Sequence, residues 1–130
     1  MSEKKPLILC IDDDPDILSF LQLVLEGAGY RYAGAESAEE GLRVYKEVAP
    51  DALIVDLMME EVDSGTGFVR ELRLLGNKAP VFMLSSVGDD LSATTDIAPL
   101  GLAGIFQKPL ARQHLLTVLA AALAEAASAS

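Results

Sequence analysis

Leu7-Ile8-Leu9-Cys10-Ile11-Asp12-Asp13-Asp14-Pro15 is the stretch that decides the fold. Five apolar residues run without alternation and stop at acid. Such a run suits a strand buried on both faces, as in parallel sheets. Asp14-Pro15 then reads as a helix N-cap followed by proline at the first helical position. Apolar residues recur at Ile17, Phe20, Leu21, Val24 and Leu25 with helical period, and Gly27 and Gly29 end the helix.

The same strand–helix unit repeats outward from there. Tyr30–Ala35 reads as a second strand, and Ser37 with Glu40 forms a capping box that opens a helix to about Val48. Pro50-Asp51 leads into Ala52–Val55, a third buried strand that stops at Asp56. Past a loop holding Gly65 and Gly67, a helix is predicted over about Gly67–Leu75, broken by Gly76-Asn77. Pro80–Leu84 is a fourth strand ending at Ser85-Ser86, followed by a weak, polar helix within Asp90–Leu100. Ala103–Phe106 makes a short fifth strand. Lys108-Pro109 starts a last helix with Leu115, Leu116, Leu119 and Leu123 at apolar positions, and Glu125–Ser130 reads as a fraying tail. Five such units with short loops predict an α/β domain, a parallel sheet with helices on both faces.

Composition bounds the rest. The 130 residues fit a single domain, 1–130, with a core over about 6–123 and a short tail over 124–130. Apolar residues at 51% and charged residues at 23% describe a globular chain. Ten Lys and Arg against twenty Asp and Glu give a net charge of −10, which repels a duplex nucleic acid or an anionic membrane. Direct contact with either is therefore not expected. A lone cysteine, Cys10, rules out an internal disulfide and suits the cytoplasm. Neither a signal peptide nor an apolar stretch long enough to span a membrane is visible.

In a doubly wound sheet the ligand site lies beyond the carboxyl ends of the strands. Here those ends carry Asp12, Asp13 and Asp14, then Asp56, Ser85 and Lys108. Carboxylates gathered at one spot repel each other unless a cation neutralises them. Oxygen ligands without His or Cys suit Mg²⁺, which binds readily beside a phosphate. A lysine and a serine hydroxyl beside the metal are what phosphoryl oxygens need. Any one of these residues reads as an ordinary cap or solvated acid; all of them at one sheet edge do not.

The chain resembles a known family, the response-regulator receiver domains of two-component signalling, over roughly Pro6 to Leu123. Ile8-Leu9-Cys10-Ile11-Asp12-Asp13-Asp14-Pro15 looks like its opening strand and acidic pair. Leu53-Ile54-Val55-Asp56-Leu57-Met58-Met59 looks like its phosphoacceptor strand. Val81-Phe82-Met83-Leu84-Ser85-Ser86 resembles the strand ending in Ser or Thr, and Phe106-Gln107-Lys108-Pro109 matches its Lys-Pro. Each motif alone is weak; the four in order are strong.

The resemblance implies a flavodoxin-like sheet of strand order 2-1-3-4-5. It implies that Asp56 accepts a phosphoryl group from phosphohistidine. Asp13, Asp56 and the backbone carbonyl of Met58 would bind Mg²⁺ or Mn²⁺, with Asp12 holding it through water. Lys108 would pair with Asp56 and then with the phosphoryl oxygens, and Ser85 would carry the switch. Asp14 reads as the helix cap and not as a ligand. The implied module catalyses only its own phosphorylation and dephosphorylation. Its partners would be a histidine kinase or histidine phosphotransfer protein and a downstream protein target. It would be a monomer or a weak phosphorylation-dependent dimer.

Two positions depart from the family. The loop after Asp56 carries Glu60 in place of the usual proline and looks about one residue longer. Ile105 stands where receivers usually carry an aromatic that swings inward, and Phe106 next door should face the other way. Asp12-Asp13-Asp14 also resembles the Asp-x-Asp of haloacid-dehalogenase-like phosphatases, but Asp89-Asp90 precedes the lysine where an acidic pair should follow it. A phosphate-independent binding module is the third possibility. Asp63-Ser64-Gly65-Thr66 matches a short aspartic-protease signature from an all-β fold. Gly65-Thr66-Gly67 is no dinucleotide loop, because Arg70 stands where a third glycine is needed. Cys10 reads as inert core, and His114 as a lone surface histidine.

Overall fold

The structure is a computed structural model that describes residues 5–56, 64–85, 103–108 and 110–129. Five strands make one parallel sheet: β1 (Leu7–Ile11), β2 (Arg31–Ala35), β3 (Ala52–Asp56), β4 (Val81–Ser85) and β5 (Gly104–Gln107). Their order across the sheet is β2-β1-β3-β4-β5, as the resemblance implied. Four described helices are α1 (Pro15–Gly27), α2 (Ala38–Val48), α3 (Ser64–Leu74) and α4 (Arg112–Ala129). The helix expected within Asp90–Leu100 lies outside the described residues.

The apolar runs are unbroken because the sheet is covered on both faces. Side chains alternate along a strand, so each run feeds two cores. Leu9, Ile11, Leu53, Val55 and Met83 pack with Phe68 and Leu72 of α3, and Leu42, Val44 and Tyr45 of α2 lie against them. Ile8, Cys10, Ile54, Phe82 and Leu84 pack with Leu21 and Leu25 of α1 and with Leu115 and Leu119 of α4. The amino ends of β1 and β3 are tied together, since the Asp51 carboxylate accepts a hydrogen bond from the Leu7 N–H at 2.8 Å.

The helix caps follow the local chemistry. Asp14 caps α1, and the chain leaves that helix through Gly29 at φ +94°, a conformation that favours glycine. The Ser37 hydroxyl accepts from the Glu40 N–H at 3.1 Å. The Glu40 carboxylate closes its half of the box on the Glu36 N–H at 2.8 Å, one residue earlier than the standard box. On edge strand β2, Tyr32 lays its side chain along Gly34, where an added β-carbon would collide with the Tyr32 hydroxyl.

Three helix boundaries differ from expectation. α3 begins at Ser64, not Gly67, because burial of Phe68, Val69 and Leu72 outweighs the poor helix propensity of Gly65 and Gly67. The last helix begins at Arg112 and not at Lys108-Pro109. The Lys108 N–H instead extends the β5 ladder to the Ser85 carbonyl at 2.7 Å, which holds it in extended register. That helix also continues through Ala129, past the tail expected to fray from Glu125, because alanine has the highest helix propensity.

Candidate functional site

The carboxyl ends of β1, β3, β4 and β5 open on one side of the sheet, and each carries a polar side chain there. The buried polar or charged residues among those described are Asp12, Asp56 and Ser85. Registration explains why two carboxylates meet. Ile11 pairs with Val55, so Asp12 and Asp56 follow side by side on neighbouring strands. Lys108 arrives from beyond β5, and Ser85 lies opposite Gln107.

Asp12 is fully buried and held from two directions. Its N–H donates to the Ala35 carbonyl at 3.1 Å, and its Oδ1 accepts from the Asp14 N–H at 2.9 Å. Its Oδ2 has no well-aligned hydrogen bond but faces the Lys108 ammonium at 3.0 Å. Lys108 Nζ also stands 3.5 Å from Asp56 Oδ1. Partial burial works against the charged form of Lys108. Contact with the Asp12 carboxylate and the charges of Asp12 and Asp56 outweigh it, so the ammonium's pKa is raised.

Asp13 is exposed, yet one carboxylate oxygen from each of Asp12, Asp13 and Asp56 falls within 4.8 Å of the others. Three carboxylates thus gather at one point, two of them in contact with the Lys108 ammonium. The donor set is all oxygen, and three carboxylates face one ammonium's charge, so negative charge is left over that a small hard cation fits.

Most expected site residues come together: Asp12, Asp13, Asp56, Ser85 and Lys108 line one edge. Met58, Glu60 and Asp63 lie outside the described residues. Asp14 is the N-cap expected, its Oδ1 accepting from the Asp16 N–H at 2.9 Å. The closest partner of Lys108 is one that sequence reasoning missed, Asp12. The only signal for it is the β1–β3 register, which follows from tertiary structure.

The neighbouring positions behave as their chemistry suggests. Ile105 points outward, 44% exposed, while Phe106 is buried against Phe82 with ring centroids 5.2 Å apart. His114 is exposed and meets the edge of Phe106 at 5.7 Å. Cys10 is buried, and burial followed by the nearby Asp12 charge pushes its thiol pKa far up, leaving it unreactive.

Known proteins resemble this chain in sequence and fold. A family model described as the response regulator receiver domain matches residues 8–120. The transcriptional regulatory protein GlrR of Escherichia coli is 35% identical over 133 residues, an alignment that takes in 100% of this chain and 29% of that protein. The chain therefore spans under a third of that relative's length. A crystal structure of a response regulator receiver domain protein from Clostridium thermocellum superposes with a TM-score of 0.86 at 28% identity, covering 96% of this chain and 99% of that one. A putative response regulator from Chloroflexus aurantiacus gives 0.83 at 33% identity, covering 93% and 99%. GlrR is named as a transcriptional regulator, and the charge of −10 describes only these 130 residues. The sequence-based exclusion of nucleic acid therefore does not extend to a longer protein. No described helix is long and apolar enough to cross a membrane.

Proposed function

The chain belongs to the response-regulator receiver domains of two-component signalling, and from that premise we propose that it accepts a phosphoryl group on Asp56. The observation that carries the reading is the placement of Asp56, buried at a strand end with Lys108 Nζ at 3.5 Å and two further carboxylates beside it. A carboxylate oxygen of Asp56 attacks the phosphorus of a phosphohistidine. The phosphorus–nitrogen bond breaks, its electron pair stays on the ring nitrogen, and a proton from solvent or from the protonated phosphohistidine ring lets neutral imidazole leave. Little covalent work falls to the protein, so positioning and charge neutralisation dominate.

Asp13, Asp56 and the Met58 carbonyl would hold Mg²⁺ or Mn²⁺, with Asp12 acting through water. Such an ion supplies positive charge to the phosphoryl oxygens. Lys108 supplies a second positive charge from the other side, and the Ser85 hydroxyl hydrogen-bonds the transferred group. The donor would be a histidine kinase or a histidine phosphotransfer protein in the cytoplasm, and the phosphorylated surface would be read by a downstream protein. The chain catalyses only its own phosphorylation and dephosphorylation.

The test is labelling with a small phosphodonor and Mg²⁺, followed by location of the phosphoryl group by mass spectrometry. Label on Asp56, lost in Asp56→Asn, is the expected result. Label on Asp12 would point to phosphatase-like chemistry. Absence of label, with the fold intact, would leave a phosphate-independent binding module.

A further inference from the structure

Asp13 stands between two residues whose positions are fixed by side-chain bonds to backbone. On one side, Asp12 Oδ1 reaches across Asp13 to the Asp14 N–H at 2.9 Å. On the other, Asp14 Oδ1 accepts from the Asp16 N–H at 2.9 Å, and the Asp14 carbonyl accepts from Ile17 and Leu18 at 3.1 and 3.2 Å. Asp14 thus joins the site's buried carboxylate to the first turn of α1. Asp13 itself is exposed, with a carboxylate oxygen within 4.8 Å of oxygens of Asp12 and Asp56.

We propose that Asp14 is a positioning residue for the cation site: by capping α1 and donating its N–H to Asp12, it holds the Asp13 carboxylate where a divalent ion needs it. The inference rests on the receiver reading above and goes beyond it, since Asp14 contributes no ligand. An exposed carboxylate on an unrestrained backbone must lose conformational freedom to bind an ion. A backbone already locked on both sides of Asp13 has lost that freedom on folding. Groups that orient metal ligands commonly change affinity by tenfold or more when removed.

The negative charge of Asp14 is a competing explanation, and its chemistry separates from the cap. Asparagine caps a helix about as well as aspartate but carries no charge. The test uses the whole chain, with Mg²⁺ affinity measured by calorimetry and Mn²⁺ affinity by electron paramagnetic resonance at physiological ionic strength. Parent, Asp14→Asn, Asp14→Ala and Gln22→Gly are compared. Gln22 is an exposed interior position of α1, so its glycine variant weakens the helix to a similar degree without touching the cap.

Asp14→Ala should bind both ions about tenfold more weakly, while Asp14→Asn and Gln22→Gly stay within about twofold of the parent. Parent-like affinity in Asp14→Ala would overturn the proposal. So would an equal loss in Asp14→Asn, which would assign the effect to charge, or an equal loss in Gln22→Gly, which would assign it to helix stability alone. If the parent binds neither ion, the receiver reading of the metal site fails first, and this proposal falls with it.

Discussion

The ammonium of Lys108 lies closer to Asp12 than to Asp56, at 3.0 Å against 3.5 Å. The β1–β3 register sets the two carboxylates side by side, and Lys108 bridges them from the far side of β4. One cation therefore serves two acids on different strands. Whatever changes the charge on Asp56 also changes the balance at Asp12, because the counter-ion is shared.

Like charges at the strand ends should make the metal-free domain less stable than its core allows. Asp13→Ala removes one of them without opening a cavity, since Asp13 is exposed. The variant should unfold at a higher urea concentration than the parent in the presence of chelator, by about 1 kcal/mol. It should also lose the stabilisation that Mg²⁺ gives the parent. A variant that still gains stability from Mg²⁺ would remove Asp13 from the ligand set.

Stability should fall on the alkaline side. The pKa of Lys108 is raised from its ordinary 10.5. Burial and then the charges of Glu26 and Glu36 push Tyr32 from 10.0 up to about 12. Cys10 is also raised from 9.0. In each case the folded state holds its proton more tightly than the unfolded one. The contributions are whole below about pH 9 and are lost as pH rises through the folded values. Denaturation midpoints measured from pH 8 to pH 12 should therefore decline, and Tyr32→Phe should flatten the decline. An identical slope in that variant would contradict the Tyr32 contribution.

Gly41 is buried under the sheet, where an added β-carbon would stand 2.7 Å from Ile11 Cδ1 and 3.2 Å from Phe68 Cε1. Alanine would gain about 1 kcal/mol of helix propensity. Over-packing a core costs roughly 1–3 kcal/mol. Gly41→Ala should come out about 1 kcal/mol less stable in urea, and a stabilised variant would mean that Ile11 and Phe68 yield freely.

The switch should leave β5 nearly still. Ile105 already points outward and, being β-branched, is stiff at χ1. Phe106 is held between Phe82 and His114. Amide exchange with and without a beryllofluoride phosphate mimic should change little over Gly104–Gln107. The changes are expected over residues 86–100. Large protection changes confined to β5 would show that the response runs through that strand.

Local chemistry made much of this fold legible. Leu7–Ile11 could be read as a strand because an unbroken apolar run needs cover on both faces, and Asp14-Pro15 marked a helix start from cap chemistry alone. Strand-end placement then assembled Asp12, Asp56, Ser85 and Lys108. Three features resisted. Lys108 pairing with Asp12 depends on which strands are neighbours, which is a long-range property. The start of α3 was hidden by Gly65 and Gly67, whose low propensity is overruled by packing. The extent of α4 was hidden because its alanines show no amphipathic period, so the usual marker of helix length is missing.

Tyr32 lying along Gly34 has a consequence for how the molecule meets its own copies. β2 is an edge of the sheet, and a glycine there leaves a patch of ladder-forming backbone without a side chain to cover it. Open strand edges recruit strands from other molecules. The tyrosine lies over the sheet face that Gly34 leaves bare, much as aromatic residues shield edge glycines in engineered sheets. Phenylalanine would keep that face covered, whereas alanine would leave it bare. The ring at position 32 thus does for the sheet what a side chain at position 34 would otherwise do, far from the chemistry at the carboxyl ends of the strands.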